Sequence, residues 1–566
     1  MIHPFSPQNS AIKMTLIPAQ SSHNQQPLEN LLTNPLLISD KILKLSSKSI
    51  SFKSYSFTLA QTVNTLSNFL RSLLRFSSSS SIYDPPIRHI SSRLSLNLRK
   101  AYKLVLKTRR RNFLYRLINL VNSADFRRII ILLESSVADL RWVLSILHAD
   151  DNTQNQNDLV LSLPPIAIDD PTIALVWSFI ATIQLGSSLE ARIEAAQELN
   201  NLALDNDRNK MMIVEECGVP PLLKLLKEGN SSVAQIAAVE VLCSISNDGD
   251  RVRVIVENGG VPLIIHVLED SCMDVKVKIS GLVAKMVEFH GGLAIEVFGR
   301  EKVIKPLVSL LTFEYESNLM ELKINCAQSI WRLAKDNLLN CMRINETNGL
   351  LGLAKMVENE KGLLKLYCLR AIMEISSIAE LNPDFRRSVF KTKSPSAMAV
   401  IEELLRVIKE CDDRIMQIPA IRSIGCLSRT FPARETTRVI PPLVEQLCNV
   451  DHEVAIEAAS ALVKFVDPDN FLFLEHSKAI VEFNGVRPVF GLLRMSEEKA
   501  QLQGLLLLCY LALKAPNLNN EFGLSGFNKA MVLTALEGVN HSFIAQNPQL
   551  RELIVKARYN LSLRHG

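Results

Sequence analysis

Two pairs of adjacent acids, Asp169-Asp170 and Asp412-Asp413, supply the residue type that general acid–base catalysis uses. Both pairs lie beside loop signals, so we interpret them as solvated turns. The string His290-Gly291-Gly292 is similar to the start of an oxyanion loop, but no strand–turn–helix pattern surrounds it. The sequence contains no G-x-x-x-x-G-K phosphate loop, no G-x-S-x-G elbow and no H-E-x-x-H motif. We therefore expect no catalytic residues, no cofactor and no enzymatic activity.

The cysteines also argue against metal chemistry. All ten lie from Cys217 onward, scattered, with no C-x-x-C pair and no neighbouring histidine cluster. This distribution is typical of reduced, core-filling thiols in the cytosol or nucleus rather than of disulfides or zinc ligands. No apolar run reaches the roughly 20 residues that span a bilayer. We expect a cytoplasmic protein without a metal site.

Charge divides the chain unevenly. Residues 1–150 carry 20 Lys and Arg against 7 Asp and Glu, a net charge of +13, whereas the whole chain has +5 and the remainder therefore −8. We expect the basic N-terminal region and the acidic remainder to meet different partners, because each sign of charge attracts its opposite.

A short phrase recurs through the second half of the chain. Clear copies begin at Cys217-Gly218-Val219-Pro220 and Gly259-Gly260-Val261-Pro262, and others occupy 304–311, 350–357, 401–408, 439–444 and 485–493. The spacing is about 40–47 residues, which for helical units is the period of a solenoid. In a solenoid each repeat contacts its neighbours and the product is an extended surface, so the pattern indicates binding rather than catalysis.

The first full repeat, about residues 189–230, shows how each copy is built. Ile193, Ala196, Leu199 and Ala203 share one helical face, and a polar turn follows them. A short helix then ends at Gly218, and the next two prolines fit the first turn of another helix. We expect Gly218 and Gly260 at inter-helix corners where a Cβ is poorly tolerated.

These residues resemble an armadillo repeat. Ala195-Ala196-x-x-Leu199-x-Asn201-Leu202-Ala203 resembles the inner third helix, and the Gly-Gly-Val-Pro-Leu-Ile-Ile string at 259–265 resembles the corner that precedes the long second helix. The resemblance implies an all-α protein whose residues 171–566 form an armadillo-type right-handed α-solenoid.

The preceding region is organised differently. A seam in 4-3 alternation from Phe126 to Leu147 and a second stripe at Leu94, Leu98, Ala101 and Val105 predict packed helices. We assign residues 1–35 to a disordered N-terminus, 36–150 to a basic helical bundle and 151–170 to a linker. Trp142, Trp177 and Trp331 are interpreted as core or helix-packing residues.

The whole layout resembles the plant armadillo-repeat-only family. The segments that carry the resemblance are 82–90, 101–107, 161–167 and 203–209. It implies a helical N-terminal domain, a repeat rod and interaction-type roles, with some members linked to polarised cell growth and to Rho-of-plants small GTPases. An extended N-terminus and a long repeat near 391–398 depart from the family and leave the pathway open.

The predicted binding groove follows from aligning the third helices. The position that carries Asn in nuclear-import adaptors is occupied here by Asn201, Ser244, Lys285, Arg332, Ser377, Cys426 and Lys464. The corresponding Trp position holds Gln197, Glu240 and Gln328, so the adaptor's array is absent. An acidic partner segment is favoured if three cations of this row, Lys285, Arg332 and Lys464, are exposed on one concave surface. The alternative is that they are solvated charges on an ordinary helix face and bind no partner.

The densest basic patch is Lys107, Arg109, Arg110 and Arg111. A solvated helix end, contact with an anionic membrane surface and a nuclear localisation signal all remain open for it. We expect a scaffold or adaptor that binds proteins and not nucleic acid. We expect it in the cytoplasm or at the periphery of the plasma membrane, and a nuclear location remains open. An organelle transit peptide is the less favoured interpretation of the Ser-rich start. The alternatives are a substrate-recognition subunit of a ubiquitin-ligase complex and a nuclear-transport-like adaptor.

Overall fold

The computed structural model describes residues 27–46, 52–77, 82–109, 122–147, 164–168, 170–229, 231–289, 292–313, 319–391, 393–522, 529–538 and 548–562. These residues form α-helices and short 3₁₀ helices, and no strand occurs among them. The predicted all-α class is confirmed. The chain divides into two compact units, Met1–Leu222 and Leu223–Gly566, called the first and the second unit below.

Four helices of the first unit form a bundle. They are α1 (Leu28–Ser46), α2 (Lys53–Ser77), α3 (Pro85–Arg109) and α4 (Ser123–Leu147). α1 packs on α2 and α3, and α4 packs on the same two helices, so each helix has two neighbours. The seam predicted on α4 lies inside, since Phe126, Leu133 and Leu140 are buried in the common core.

The bundle begins earlier than the sequence suggests. α1 starts at Leu28, so residues 28–35, assigned from the sequence to the disordered N-terminus, belong to it. Leu28 and Leu32 are buried, and Pro35 lies inside the helix. Proline lacks the N–H that would bond the carbonyl of Leu31. The Ser91 hydroxyl of α3 donates to that carbonyl at 2.9 Å, so tertiary packing satisfies the freed acceptor.

Repeat-like helices complete the first unit. They are α5 (Pro171–Leu185), α6 (Leu189–Asp205), α7 (Asp207–Glu215) and the start of α8 (Val219–Glu228). The described part of the predicted linker contains a 3₁₀ helix, Pro165–Ala167, and the backbone N–H of Ile166 donates to Asp139 of α4 at 2.8 Å. This contact ties the bundle to the following segment, so the compact unit continues past the predicted boundary at 170 to Leu222.

A buried carboxylate joins the bundle to these helices. Glu216 accepts a hydrogen bond from Trp177 Nε1 at 2.7 Å, and its backbone carbonyl accepts from the Tyr83 hydroxyl at 2.8 Å. His89 Nε2 lies 3.4 Å from the same carboxylate, and this hydrogen bond raises the pKa of His89. The Trp142 ring packs 6.0 Å from that of Trp177. The two tryptophans therefore pack between helices, as predicted.

The second unit repeats a short first helix, a second helix and a longer third helix. In chain order its helices are α9 (Ser232–Ile245), α10 (Gly249–Glu257), α11 (Gly260–Asp270), α12 (Met273–Phe289), α13 (Leu293–Arg300), α14 (Ile304–Leu311), α15 (Met320–Ala334), α16 (Leu338–Glu346), α17 (Gly349–Asn359), α18 (Gly362–Leu381), α19 (Pro383–Val389), α20 (Pro395–Glu410), α21 (Arg414–Cys426), α22 (Thr436–Gln446), α23 (His452–Val466), α24 (Phe473–Glu482), α25 (Val486–Leu493), α26 (Glu498–Phe522), α27 (Lys529–Glu537) and α28 (Pro548–Ser562). The third helices, α9, α12, α15, α18, α21, α23 and α26, contact one another in series.

The corner between first and second helices has one recurring geometry. A residue with positive φ ends the first helix at Cys217, Gly259, Lys302, Asn348 and Asn484. The next residue is glycine at four of these corners, 218, 260, 349 and 485. A Cβ on Gly485 would lie 2.8 Å from Ile480 Cγ2 and 2.9 Å from its carbonyl oxygen, and the other three glycines meet an isoleucine in the same way. The prediction that Gly218 and Gly260 occupy such corners is confirmed.

We expect Gly485→Ala to lower the free energy of unfolding by about 1–3 kcal/mol, because the new methyl group overlaps the Ile480 backbone. Gly491→Ala is the matched control. This glycine lies inside α25, and apart from its chain neighbours and the adjoining turns of its own helix, no described atom lies within 4 Å of the position that an alanine methyl group would take, so alanine should stabilise the helix by up to about 1 kcal/mol. Urea titration followed by circular dichroism measures both. Equal midpoints for the two variants would contradict the proposed corner geometry.

A histidine of the second unit is buried and is expected to oppose folding in acid. His476 of α24 contacts Thr436 Oγ1 through Nδ1 at 3.2 Å and the Phe465 ring edge-to-face at 5.0 Å. Its Nε2 has no hydrogen-bond partner among the described residues. Burial lowers the pKa of His476 to about 4, because the charged imidazolium would be desolvated there.

The folded pKa of His476 lies below the unfolded value of about 6.5, so the stability that depends on its neutral form is present above pH 6.5 and is lost towards pH 4. We expect wild type to lose on the order of 1–2 kcal/mol between pH 7 and pH 5 relative to His476→Gln, whose side chain stays neutral. Urea midpoints at the two pH values measure this difference. His452→Gln, at an exposed histidine, should keep the wild-type pH dependence.

Candidate functional site

All seven residues of the predicted groove lie on third helices. Asn201 lies on α6 of the first unit, and Ser244, Lys285, Arg332, Ser377, Cys426 and Lys464 lie on successive third helices of the second unit. Lys285 is exposed, Arg332 and Lys464 are half-buried, and Cys426 is buried. The alignment thus places the six residues on one series of contacting helices, and their role in binding stays a prediction.

The three cations of this row already have partners within the protein. Arg332 Nη2 lies 3.2 Å from Glu288 Oε1, one repeat earlier. Lys464 Nζ lies 2.6 Å from Glu380 Oε2. Lys285 Nζ donates to the backbone carbonyl of Cys243 at 3.2 Å. Two of the three positive charges are therefore neutralised by carboxylates, and the row offers a partner less net charge than the sequence suggests.

The Lys464–Glu380 pair bridges two repeats that are not adjacent. Lys464 lies on α23 and Glu380 at the end of α18, and the third helix between them is α21. Lys464 Nζ also lies 3.4 Å from Cys426 Sγ of α21. α21 and α23 approach closely because Gly425 of α21 faces Ala461 of α23. A Cβ on Gly425 would lie only 2.9 Å from the Cα of Ala461. Burial raises the pKa of Cys426 to about 11, so this thiol stays protonated and unreactive.

A cluster of aromatic and guanidinium groups lies on the same face in the middle of the second unit. The half-buried Trp331 ring has the Arg332 guanidinium 4.2 Å and the Arg370 guanidinium 4.8 Å from its centroid. Tyr367 stacks on it at 5.7 Å with an interplanar angle of 17°. The indole Nε1 faces Glu374 Oε1 at 3.4 Å. We call Trp331, Arg332, Tyr367 and Arg370 the Trp331 cluster.

The Trp331 cluster has the composition of a protein-binding hot spot. Trp, Tyr and Arg dominate the binding energy of interfaces because they offer large contact areas and several hydrogen-bond donors. Stacking already orders these side chains, so they lose less conformational entropy when a partner binds. From the sequence, Trp331 is interpreted only as a packing residue. Arg370 could not be found by aligning the third helices at one position, because that position on α18 is occupied by Ser377.

The basic patch extends further along α3 than predicted. Lys107 is exposed, and Arg99, Lys100 and Lys103 are exposed on the preceding turns. Leu96 and Leu106 are exposed beside them. Arg109 is the last residue of α3, while Arg110 and Arg111 lie outside the described residues. We call Arg99, Lys100, Lys103 and Lys107 the basic stripe.

The remaining candidates have structural roles where they are described. Asp170 pairs with Arg208 at 2.7 Å, and the Asp413 carboxylate caps α21 by accepting from the backbone N–H of Ile415. Asp169, His290 and Gly291 lie outside the described residues. Within the described ranges, no group of three or more His, Cys, Asp or Glu could hold a metal ion. In the same ranges no helix is both long and apolar enough to cross a membrane.

An open groove of about 790 Å³ lies between α22 and α25. Its lining is mainly apolar and includes Pro441, Val444, Phe483 and Met495. Glu445, His452 and Arg487 also line it, but most of the lining surface is apolar, which suits contact with apolar side chains.

Comparisons with known proteins agree with this division. A family model described as a domain of unknown function (DUF7792) matches residues 29–148, the range of the four-helix bundle. No curated protein matches the chain.

Solved structures are similar to parts of the chain. An engineered protein from the Northeast Structural Genomics Consortium is 21% identical, with a TM-score of 0.54, over 69% of this chain and 98% of that chain. Computationally designed armadillo repeat proteins for modular peptide recognition are 18% identical over 44% of this chain and 98% of that chain, with a TM-score of 0.39. The repeated three-helix units of the second unit are those of an armadillo-type α-solenoid, as predicted.

Proposed function

We propose that this chain is a non-catalytic scaffold that binds a protein partner along the third-helix face of its second unit. The armadillo-type fold is consistent with protein binding, because stacked repeats present an extended surface. The observation that carries the proposal is the Trp331 cluster, in which a half-buried indole is flanked by two guanidiniums on this face. Residues of this kind anchor interfaces.

The resemblance to plant armadillo-repeat-only proteins supports a finer proposal. The scaffold would act in polarised growth and contact a small GTPase. A substrate-recognition subunit of a ubiquitin-ligase complex is the alternative. A role as carrier of basic nuclear signals is disfavoured, because two guanidiniums lie within 5 Å of the Trp331 ring centre and would repel a basic side chain.

We expect a photo-crosslinking amino acid at Gln328, on the third helix α15, to capture a partner in native extract. The same group at Arg253, on the first helix α10, should not capture it. Trp331→Ala should reduce capture at least tenfold, as loss of a hot spot does, whereas Trp331→Phe should keep part of it. Circular dichroism checks the fold of each variant.

Equal capture from both positions would remove the third-helix face from the mechanism. The eluate is also assayed for ubiquitin transfer, because activity that follows the captured complex would favour the ligase-subunit alternative over a simple scaffold.

We propose a second contact, of the basic stripe with an anionic membrane surface. Its four cations are exposed, and no described carboxylate forms an ion pair with them. Each cation near an anionic leaflet contributes about 1 kcal/mol, and the neighbouring Leu96 and Leu106 add apolar contact. This contact would place the protein at the cytoplasmic periphery of the membrane.

We expect the full chain to sediment with vesicles that contain phosphatidylserine and not with neutral phosphatidylcholine vesicles. Lys100→Glu with Lys103→Glu should weaken sedimentation at least tenfold, since two attractive charges become repulsive. The control is Lys305→Glu with Lys409→Glu, two exposed lysines of the second unit, which should leave it unchanged. Sedimentation that is insensitive to both double variants would contradict a role for the stripe.

A further inference from the structure

Arg370 differs from the other arginines on the third helices. Arg332 pairs with Glu288 at 3.2 Å, and Arg422 donates two hydrogen bonds to Glu457, at 2.9 and 2.8 Å. Arg370 is half-buried on α18, and its guanidinium contacts the Trp331 ring. No carboxylate of the described residues lies within ion-pair distance of it. Arg370 is therefore a positioned cation whose charge is not neutralised by the protein.

Stacking prepares this guanidinium for an anion. Contact with an indole face holds the guanidinium plane while its N–H groups, which point outward along the edges, remain available. A planar fork of donors matches a carboxylate with two parallel hydrogen bonds.

The alternatives to an anion fit this arrangement poorly. A basic side chain from a partner would meet two guanidiniums within 5 Å of the ring centre and be repelled. An apolar group would cover Arg370 and remove water from a charge that has no counter-ion, which is costly. A carboxylate neutralises the charge and uses the donors, so electrostatic complementarity selects it.

We propose that Arg370 is the subsite that binds a carboxylate side chain of an extended acidic segment in a protein partner. The inference rests on the proposed function and specifies its chemistry. It assigns the acidic-partner preference to Arg370 rather than to Arg332 and Lys464, whose charges are already paired. Trp331 acts as the positioning residue for the guanidinium.

The test uses the full chain and fluorescein-labelled peptides of alternating residues: Glu and Ala, Gln and Ala, or Lys and Ala. Fluorescence polarisation should show binding of the Glu peptide alone. Arg370→Gln should weaken that binding at least tenfold. Arg370→Lys should weaken it less, because a lysine keeps the charge and loses the planar fork. Arg253→Gln, at an exposed arginine on a first helix, is the matched control and should bind as wild type does.

Wild type that does not bind the Glu peptide would overturn the inference, and so would Arg370→Gln that binds it as tightly as wild type. In both cases capture through Gln328 can still succeed, so failure of this subsite is distinguishable from failure of the proposed function. Thermal melts of Arg370→Gln and Arg370→Lys report whether a loss is due to unfolding. A tenfold loss in Arg370→Gln, a smaller loss in Arg370→Lys, wild-type melts for both variants and full binding in Arg253→Gln support the assignment.

Discussion

At four of the five corners, the close approach of a glycine to the isoleucine five residues before it is the constraint on which the packing of the two helices depends. Each such corner first reverses the chain with a residue of positive φ, then brings the next helix against the last carbonyls of the previous one. A side chain larger than hydrogen would separate those two helices. With the corner fixed, the third helix of each repeat meets the next in series, and single positions repeat along one face. The location of Trp331 and Arg370 on a common surface is a consequence of that geometry.

The ion pairs on the third-helix face join side chains of different repeats rather than side chains of one repeat. Carboxylates of one third helix neutralise cations of another, as Glu288 does for Arg332 and Glu457 does for Arg422. Such pairs are partly exposed and contribute little stability individually, so their effect is mainly on what the face presents to a partner. A mostly neutralised surface with one stacked, unpaired guanidinium discriminates by position as well as by sign. The Trp331 cluster is therefore better suited to a specific contact than a uniformly basic groove.

The repeats could be predicted from sequence because their signal is local: a glycine, a proline and a helical apolar face within a few residues of one another. The features that escaped prediction depend on contacts between distant residues. Pro35 is compatible with α1 only because Ser91 bonds the freed carbonyl. Pro441 and Pro442 lie inside α22, although the recurring phrase predicts prolines at a helix start. Glu216 and Arg370 acquire their roles from Trp177 and Trp331, which no spacing rule connects to them.

The Lys464–Glu380 bridge changes how the second unit is coupled. In a solenoid whose repeats contact only their neighbours, each interface between two repeats can deform without directly affecting the others. This ion pair reaches past α21 and links α18 to α23 directly. Bending that separates those helices must stretch it, so flexure there is resisted at two points instead of one. The ion pair therefore couples α18 to α23 directly, in addition to the packing of each helix on α21.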